Sequence, residues 1–274
     1  MNSHPFSLAA LTVLELSPPD MVEAAARAGY DYVGLRPIPA TPEELNYPLL
    51  SDTSLLKQTC RRLRDTGIKV ADLEILRLKP HTHVINDFSR FMEVGAELGA
   101  SEILVAGNDD NHERLRENFA ALCELAQPFG LYPHLEFMPW TGVKNLKEAR
   151  HIVGDVRQAG HRNACLLVDA FHLDRSRSRL EELAEVPPEW MRYVQLCDVP
   201  GPIPESMDDI LHEARCERRF PGDGHADLKG LLKVIPPHIP LSLEVPTDAL
   251  RRQGVSALER AQMALDKARR VVSP

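Results

Sequence analysis

The sequence predicts an α/β protein, a single barrel of eight parallel strands in which each strand is followed by a helix. Short apolar runs typical of buried strands alternate with helical patterns along the whole chain, and this alternation favours a parallel sheet. The 274 residues hold eight such units, whereas a closed (β/α)8 TIM barrel typically needs about 250 residues. No glycine-rich dinucleotide motif follows the first run, which disfavours an open doubly wound sheet. We therefore expect residues 1–274 to form one TIM-barrel domain.

The predicted strands are short runs rich in Leu, Val and Ile. No Lys or Arg precedes the first run and no clear cleavage site follows it, so it predicts a strand rather than a signal peptide. In chain order the predicted strands are Ser7–Leu14, Tyr32–Arg36, Lys69–Leu76, Glu102–Ala106, Leu131–Phe137, Ala164–Asp169, Arg192–Leu196 and Leu241–Val245.

The predicted helices carry apolar residues at helical spacing, and several end at a glycine. The first begins at Pro18 and ends at Gly29, and the second spans the apolar positions 55–63 and ends at Gly67. The later predicted helices are Val84–Leu98, Glu113–Pro128, Leu146–Gln158, Arg179–Glu185, Leu228–Val234 and Ser256–Val272, with a short helix near Met207–Arg215.

Composition narrows the class of protein. Apolar residues make up 43% and charged residues 26%, and the formal net charge is −8, so we expect neither a nucleic-acid partner nor a membrane partner. No window of 18 apolar residues predicts a membrane span. The five cysteines form no CxxC pair, which indicates reduced thiols and a cytoplasmic location.

Four consecutive predicted strands end in residues that can bind a metal: Glu136, Asp169, Gln195 and Glu244. Parallel barrel strands bring their carboxyl ends to one face, so these side chains should converge there. Oxygen donors with a net charge of −3 suit one hard divalent cation. Singly, each residue has an ordinary alternative, such as a helix cap, a salt-bridged carboxylate or an amide bonded to neighbouring strands.

A bound cation and two carboxylates suit proton transfer beside a carbonyl group. Glu136 and Glu244 could remove and return the proton. His172, three residues after Asp169, is a third candidate acid or base because imidazole titrates near neutrality. The alternative for His172 is a loop histidine with no chemical role.

Residues in loops and at other strand ends are candidates for substrate binding. Arg218 or Arg219 could clamp a carboxylate or phosphate, although the loop 218–225 could also be a surface turn. Asp198 could orient a ligand or substrate, and Glu74 near the end of the third strand could face the barrel mouth.

These motifs resemble the xylose isomerase-like barrel superfamily, and the resemblance covers essentially the whole chain. That superfamily includes sugar-phosphate isomerases, ketose 3-epimerases, inosose and 3-dehydroshikimate dehydratases, and endonuclease IV. The resemblance rests on Glu136, Val-Asp-x-x-His172, Gln-Leu-x-Asp198, Arg-x-x-Pro-Gly-x-Gly224 and Leu-Glu-Val-Pro246.

The resemblance implies one Mg²⁺, Mn²⁺, Co²⁺ or Zn²⁺ ion on Glu136, Asp169, Gln195 and Glu244. Many members have His at the position of Gln195. In having Gln there, this chain resembles the bacterial 3-dehydroshikimate dehydratase branch. An amide oxygen in place of imidazole favours Mg²⁺ or Mn²⁺ over Zn²⁺. The endonuclease branch is disfavoured because several of its histidines are missing and the chain is acidic.

Three functions remain open from the sequence. The first hypothesis is a sugar or sugar-phosphate isomerase or epimerase, which needs only the metal and two carboxylates. The second is a dehydratase (a lyase) of 3-dehydroshikimate or an inosose, with His172 as acid for the departing hydroxyl group. The third is a catalytically silent barrel that binds a sugar-like ligand. The small-molecule partner is then a hydroxyketone or sugar, and the resemblance also implies a homodimer.

Overall fold

The computed structural model describes residues 4–42 and 44–273. Its strands close into one barrel in chain order, and every neighbouring pair is parallel. The strands are β1 (Phe6–Leu8), β2 (Tyr32–Leu35), β3 (Lys69–Leu78), β4 (Glu102–Gly107), β5 (Tyr132–Glu136), β6 (Cys165–Asp169), β7 (Val194–Leu196) and β8 (Leu241–Leu243). The predicted eight-stranded TIM barrel is therefore confirmed.

Helices follow the strands and pack around the barrel. Gly29 ends the first helix with φ of +91°, a conformation that costs glycine little because it has no Cβ. The helices are α1 (Pro18–Ala28), α2 (Thr53–Thr66), α3 (Val84–Leu98), α4 (His112–Ala126), α5 (Leu146–Gln158), α6 (Ala170–Arg175), α7 (Leu180–Ala184), α8 (Met207–Cys216), α9 (Leu228–Val234), α10 (Asp248–Arg252) and α11 (Ala257–Val272). Among the described residues, no helix combines the length and apolar character needed to cross a bilayer.

The first predicted strand was too long. Strand β1 ends at Leu8, and Ala10–Val13 forms a short 3-10 helix instead. The Thr12 hydroxyl donates to the Leu243 carbonyl at 2.7 Å and accepts from the Val245 amide at 2.8 Å. The apolar run therefore continues beyond the strand because the segment is buried against the end of β8, not because it is extended.

Two short helices, α6 and α10, were not predicted. Each follows a barrel strand and has only five or six residues, which is too short for a periodic apolar pattern to be read. The Asp169 side chain caps α6 by accepting from the Phe171 amide at 2.7 Å. Asp169 is therefore a helix cap, and this leaves its second oxygen free for other partners.

The barrel interior holds both polar and apolar side chains. A separate apolar cluster inside it includes Leu104, Leu167 and Tyr193. Because side chains alternate between the two faces of a strand, Asp169 lies on the same face as Leu167, and Gln195 on the same face as Tyr193. This periodicity places the polar strand ends at the carboxyl-terminal mouth of the barrel.

An ion-pair cluster lies toward the opposite, amino-terminal end of the barrel. His134 Nε2 lies 2.8 Å from Glu102 Oε2, and Arg192 Nε donates to the same oxygen at 3.0 Å. Burial alone would raise the pKa of Glu102, but its hydrogen bonds to His134 and Arg192 lower it below the ordinary value. These charges are mutually satisfied, so we assign this end a structural role.

Candidate active site

A cavity of about 660 Å³ opens at the carboxyl-terminal ends of the strands. Glu136, His172 and Glu244 line it, together with Trp140 from the loop after β5. This is the face on which barrel enzymes carry their active sites. The structure therefore brings the three predicted catalytic residues to one cavity.

Glu136, Asp169 and His172 form the tightest cluster at this face. One donor atom of each lies within 4.8 Å of the others. His172 Nε2 lies 3.6 Å from Glu136 Oε1 and 3.7 Å from Asp169 Oδ2. All three side chains are buried. Glu136 ends β5, Asp169 ends β6, and the short helix α6 turns His172 back toward both carboxylates.

Arg218 joins two of the predicted metal ligands. Its Nη1 donates to Asp169 Oδ2 at 2.6 Å, and its Nη2 lies 2.9 Å from Glu244 Oε2. The remaining contacts of the guanidinium are to the Ala214 and Glu244 carbonyl oxygens and the Cys197 sulfur. The buried Arg218 guanidinium thus balances part of the charge of Asp169 and Glu244, and it fixes these two side chains relative to each other.

Gln195 lies between Asp169 and Glu244 in the strand order. Its Nε2 donates to Glu244 Oε1 at 3.2 Å, whereas its Oε1 is buried with no hydrogen-bond partner among the described residues. Oε1 of Glu244 therefore accepts from Gln195, and its Oε2 is ion-paired with Arg218. Glu136 differs, because its buried Oε1 has no hydrogen-bond partner in the same described part of the chain.

Burial and mutual repulsion set the charges of the carboxylates. Burial, followed by Asp169 and Glu244, raises the pKa of Glu136 well above its ordinary value. Burial also raises the pKa of Glu244 to about 8, although Arg218 opposes the shift. For Asp169, burial is outweighed by Arg218 and His172, which lower its pKa.

Burial lowers the pKa of His172 to about 4, with Asp169 acting in the opposite direction. The ring is therefore neutral at pH 7. A neutral imidazole can accept a proton, and the adjacent Asp169 carboxylate would stabilise the imidazolium ion so formed.

The donor set fits a divalent cation. Two buried oxygens, Glu136 Oε1 and Gln195 Oε1, lack partners among the residues described, and such atoms are costly unless something binds them. In the described part of the chain, Arg218 is the only arginine within ion-pair distance of the three buried carboxylates of the site, so one further positive charge would reduce the repulsion between them. Oxygen donors of this kind suit hard cations.

The structure does not bring Arg218 or Arg219 into position as a substrate clamp. The Arg218 side chain is only 2% exposed and is engaged by Asp169 and Glu244. The Arg219 side chain is exposed, and its backbone pairs with Asp198. Sequence could not separate these neighbours, because only long-range contacts decide which arginine turns toward the buried carboxylates.

Asp198 is likewise directed away from the cavity. Its Oδ2 accepts from the Gly222 and Gly224 amides at 3.0 and 3.1 Å, and its Oδ1 accepts from the Ala226 amide at 2.9 Å. A Cβ on Gly224 would overlap both Asp198 and the Val199 carbonyl oxygen. Asp198 therefore holds the glycine loop that follows Arg218, and glycine is required for the close approach.

Asp198→Asn is expected to lower the free energy of unfolding by about 1–3 kcal/mol, because an amide NH₂ group would face two backbone N–H donors from which the carboxylate now accepts. Metal affinity should change little. Urea unfolding and metal titration measure the two effects, with Asp208→Asn on the exposed surface of α8 as the matched control. A large loss of metal affinity with unchanged stability would contradict this structural role.

Glu74 acts through Arg36 rather than lining the cavity. Glu74 is fully buried, and its Oε2 accepts from Arg36 Nη2 at 2.6 Å. Arg36 lines the cavity and also pairs with Glu44 at 2.6 Å. In this arrangement Glu74 positions a cavity arginine, so we do not assign it a direct substrate contact.

Sequence reasoning missed Arg77, which lines the cavity. The predicted third strand stops at Leu76, but β3 continues to Leu78. The signal was present in the sequence, because Arg77 is a charged residue between two leucines at the end of an apolar run. A strand that continues by two residues places this side chain on the inward face, beside Ile75.

Comparison with known proteins identifies relatives of this chain. The chain is 26% identical over 247 residues to the 3-dehydroshikimate dehydratase of Pseudomonas putida, covering 85% of this chain and 36% of that protein. It is 29% identical over 247 residues to the Pseudomonas aeruginosa 3-dehydroshikimate dehydratase, covering 85% and 37%. The chain thus spans about a third of the length of these relatives.

Among solved structures, the IolI protein with a bound zinc atom superposes with a TM-score of 0.81. Its sequence identity is 23%, and the alignment covers 98% of each chain, so this likeness shows the fold alone. The two relatives named above are enzymes. A family model described as the xylose isomerase-like TIM barrel matches residues 22–268, and the chain belongs to that family.

Proposed function

We propose that the chain is a divalent-metal-dependent dehydratase of a cyclic hydroxyketone of the 3-dehydroshikimate type. One observation carries this choice over epimerisation: the two glutamates of the site are not equivalent. Glu244 Oε1 accepts from Gln195 and Glu244 Oε2 is ion-paired with Arg218, whereas Glu136 Oε1 has no hydrogen-bond partner among the described residues and lies 3.6 Å from His172. An epimerase that uses two bases on opposite faces of a carbon needs both carboxylates to be available.

The comparisons support the same reaction class. Both curated relatives named above are 3-dehydroshikimate dehydratases, and each match covers 85% of this chain. Gln195 stands where the resemblance to the dehydratase branch expects glutamine. The bound zinc atom of the IolI structure and the cluster of Glu136, Asp169 and His172 support a divalent cation.

Glu136, Asp169, Gln195 and Glu244 would hold the cation, with Mn²⁺ or Mg²⁺ favoured by the oxygen donors and Co²⁺ or Zn²⁺ as alternatives. When bound, the cation would supply Lewis acidity that makes a carbon next to a carbonyl group more acidic. Arg218 holds Asp169 and Glu244 in place, and Gln195 fixes the second oxygen of Glu244.

His172 by itself is sufficient to carry the proton that dehydration transfers. The neutral ring accepts the proton from the carbon beside the carbonyl group, and Asp169 stabilises the resulting imidazolium ion. The same ring then gives that proton to the departing hydroxyl group, which leaves as water. A carbon–carbon double bond forms, and His172 returns to its neutral state, so no further acid or base is needed.

His172→Ala is expected to lower turnover by about 10²–10⁴-fold, because it removes the proton carrier. Metal content should be kept, because the four proposed ligands remain. Elemental analysis and steady-state kinetics measure the two effects, with His151→Ala on the exposed face of α5 as the control. Loss of the metal together with activity would instead make His172 a ligand.

An isomerase or epimerase is the second candidate. It is favoured by one observation, that Glu136 and Glu244 both line the cavity and could serve as an acid/base pair. A silent sugar-binding barrel is the least supported, because a binding module has little use for converging buried carboxylates. The small-molecule substrate and the homodimer remain proposals.

The first experiment is elemental analysis of the purified protein, followed by an assay of the Mn²⁺-loaded protein on 3-dehydroshikimate. We expect about one ion per chain, as for a single site, and a rise in ultraviolet absorbance as a conjugated product forms. One ion without an absorbance change would favour the second candidate and call for a panel of ketoses. No ion after incubation with Mn²⁺ would contradict both enzyme proposals.

A further inference from the structure

The arginines of the cavity differ in whether they have a carboxylate partner. Six arginines line the cavity, and four of them form ion pairs with carboxylates. These four are Arg36, Arg218, Arg251 and Arg260. The other two, Arg77 and Arg215, have no carboxylate within ion-pair distance in the part of the chain that the structure describes.

Arg77 is the more deeply placed of these two. It lies on β3, is half-buried, and points to the same side of the strand as Ile75. Its Nη1 donates to Asn108 Oδ1 at 3.0 Å, which fixes one end of the guanidinium through a neutral group. The other guanidinium N–H groups have no protein acceptor among residues 4–42 and 44–273.

The surroundings of Arg77 disfavour its charge. Burial, followed by the nearby Arg215 and Arg36, lowers the pKa of Arg77. Arg215 is exposed and lines the same cavity from α8. An anion that entered the cavity would therefore gain a desolvated, positioned cation, with a second cation at the rim.

Part of the cavity lining is apolar. Ile75, Leu104, Met138 and Trp140 form this part, and these side chains suit a carbon ring rather than a chain of hydroxyl groups. A ligand that fits the whole cavity thus has an oxygen-bearing end near Glu136 and His172, an apolar ring face, and an anionic substituent at Arg77.

We propose that Arg77 is a specificity-determining residue that binds a carboxylate of the substrate, so that the substrate class is a cyclic hydroxyketone acid. This inference rests on the proposed function and assigns its substrate class. A carboxylate matches the guanidinium of Arg77, which is partly desolvated and has no carboxylate partner among the described residues, and its planar fork suits two parallel hydrogen bonds. A phosphate dianion would need a second cation held as firmly, but Arg215 is exposed.

The test is calorimetric binding to the Mn²⁺-loaded protein with probes that do not depend on turnover: shikimate, its uncharged methyl ester and glucose 6-phosphate. We expect the wild type to bind shikimate at least about tenfold more tightly than the ester. Arg77→Gln should weaken shikimate binding by about 10- to 100-fold and leave ester binding unchanged.

Arg77→Lys should recover part of the affinity, since it keeps the charge but not the fork. Arg251→Gln is the matched control, because Arg251 also lines the cavity but pairs with Asp248; its shikimate affinity should equal that of the wild type. Circular dichroism and unfolding midpoints establish that the variants are folded.

Three results would overturn the inference: no shikimate binding by the wild type, equal affinity for acid and ester, or unchanged affinity in Arg77→Gln. If glucose 6-phosphate bound more tightly than shikimate, and this binding depended on Arg77, Arg77 would bind a phosphate and not a carboxylate. The proposed substrate class would then be wrong. Arg77-dependent shikimate binding without turnover of 3-dehydroshikimate would contradict the proposed dehydratase and leave the carboxylate site standing.

Discussion

Replacing Glu136 by Gln is expected to lower kcat of the metal-loaded protein by about 10³-fold or more and to weaken metal binding at least about tenfold. Glu136 Oε1 is the buried carboxylate oxygen of the site with no hydrogen-bond partner in the described residues, and it lies 3.6 Å from His172 Nε2. The amide removes the negative charge that both a cation and an imidazolium ion would need there.

Steady-state kinetics and titration with Mn²⁺ measure these two effects. Glu124→Gln on the exposed face of α4 is the matched control, and we expect it to behave as the wild type. If Glu136→Gln kept full activity, the assignment of the site would be wrong. If it kept metal affinity but lost turnover, Glu136 would be a proton-transfer residue and not a ligand.

The stability of the same variant relative to the wild type should depend on pH. Burial and the neighbouring carboxylates raise the pKa of Glu136 in the folded protein, so folding favours its protonated form. The stability that this group contributes is present at low pH and lost as the pH rises through the folded-state pKa. In a chelator, the stability of Glu136→Gln relative to the wild type should therefore rise as the pH increases above the ordinary glutamate pKa, as measured by urea unfolding.

The fold could be predicted from the sequence because strand and helix periods alternate without interruption. The helices Val84–Leu98, Leu146–Gln158 and Leu228–Val234 were predicted with the bounds that the structure shows. The first strand was overextended because burial and extension give the same apolar run. Tertiary contacts such as that of Thr12 with β8 decide between them, and they are not visible in a local pattern.

The convergence of Glu136, Asp169, Gln195 and Glu244 was also predictable, because parallel strands place their carboxyl ends on one face. The roles of the arginines were not. Arg218 and Asp169 are 49 positions apart, and nothing local indicates that this arginine pairs with a buried carboxylate while Arg77 has no such partner. Charge pairing over such separations determines which cation remains available to a substrate.

Replacing Arg218 by Met is expected to lower the free energy of unfolding strongly, by an amount that depends on whether the metal is bound. Without Arg218, the buried Asp169 and Glu244 carboxylates lose their shared cation, and removal of one partner of a buried ion pair typically costs about 3–5 kcal/mol. We expect a loss of this size in the free energy of unfolding when a chelator is present. Arg252→Met, which removes an arginine that is 62% exposed, should change stability by less than about 1 kcal/mol.

With saturating Mn²⁺, the loss in Arg218→Met should be clearly smaller. The cation would bind the same two carboxylates and offset part of the charge that Arg218 neutralises. Urea unfolding with and without Mn²⁺ measures the difference for both variants. Equal losses under the two conditions would show that the cation does not act on Asp169 and Glu244, and the metal site would then have to be sought on Glu136 and His172 alone.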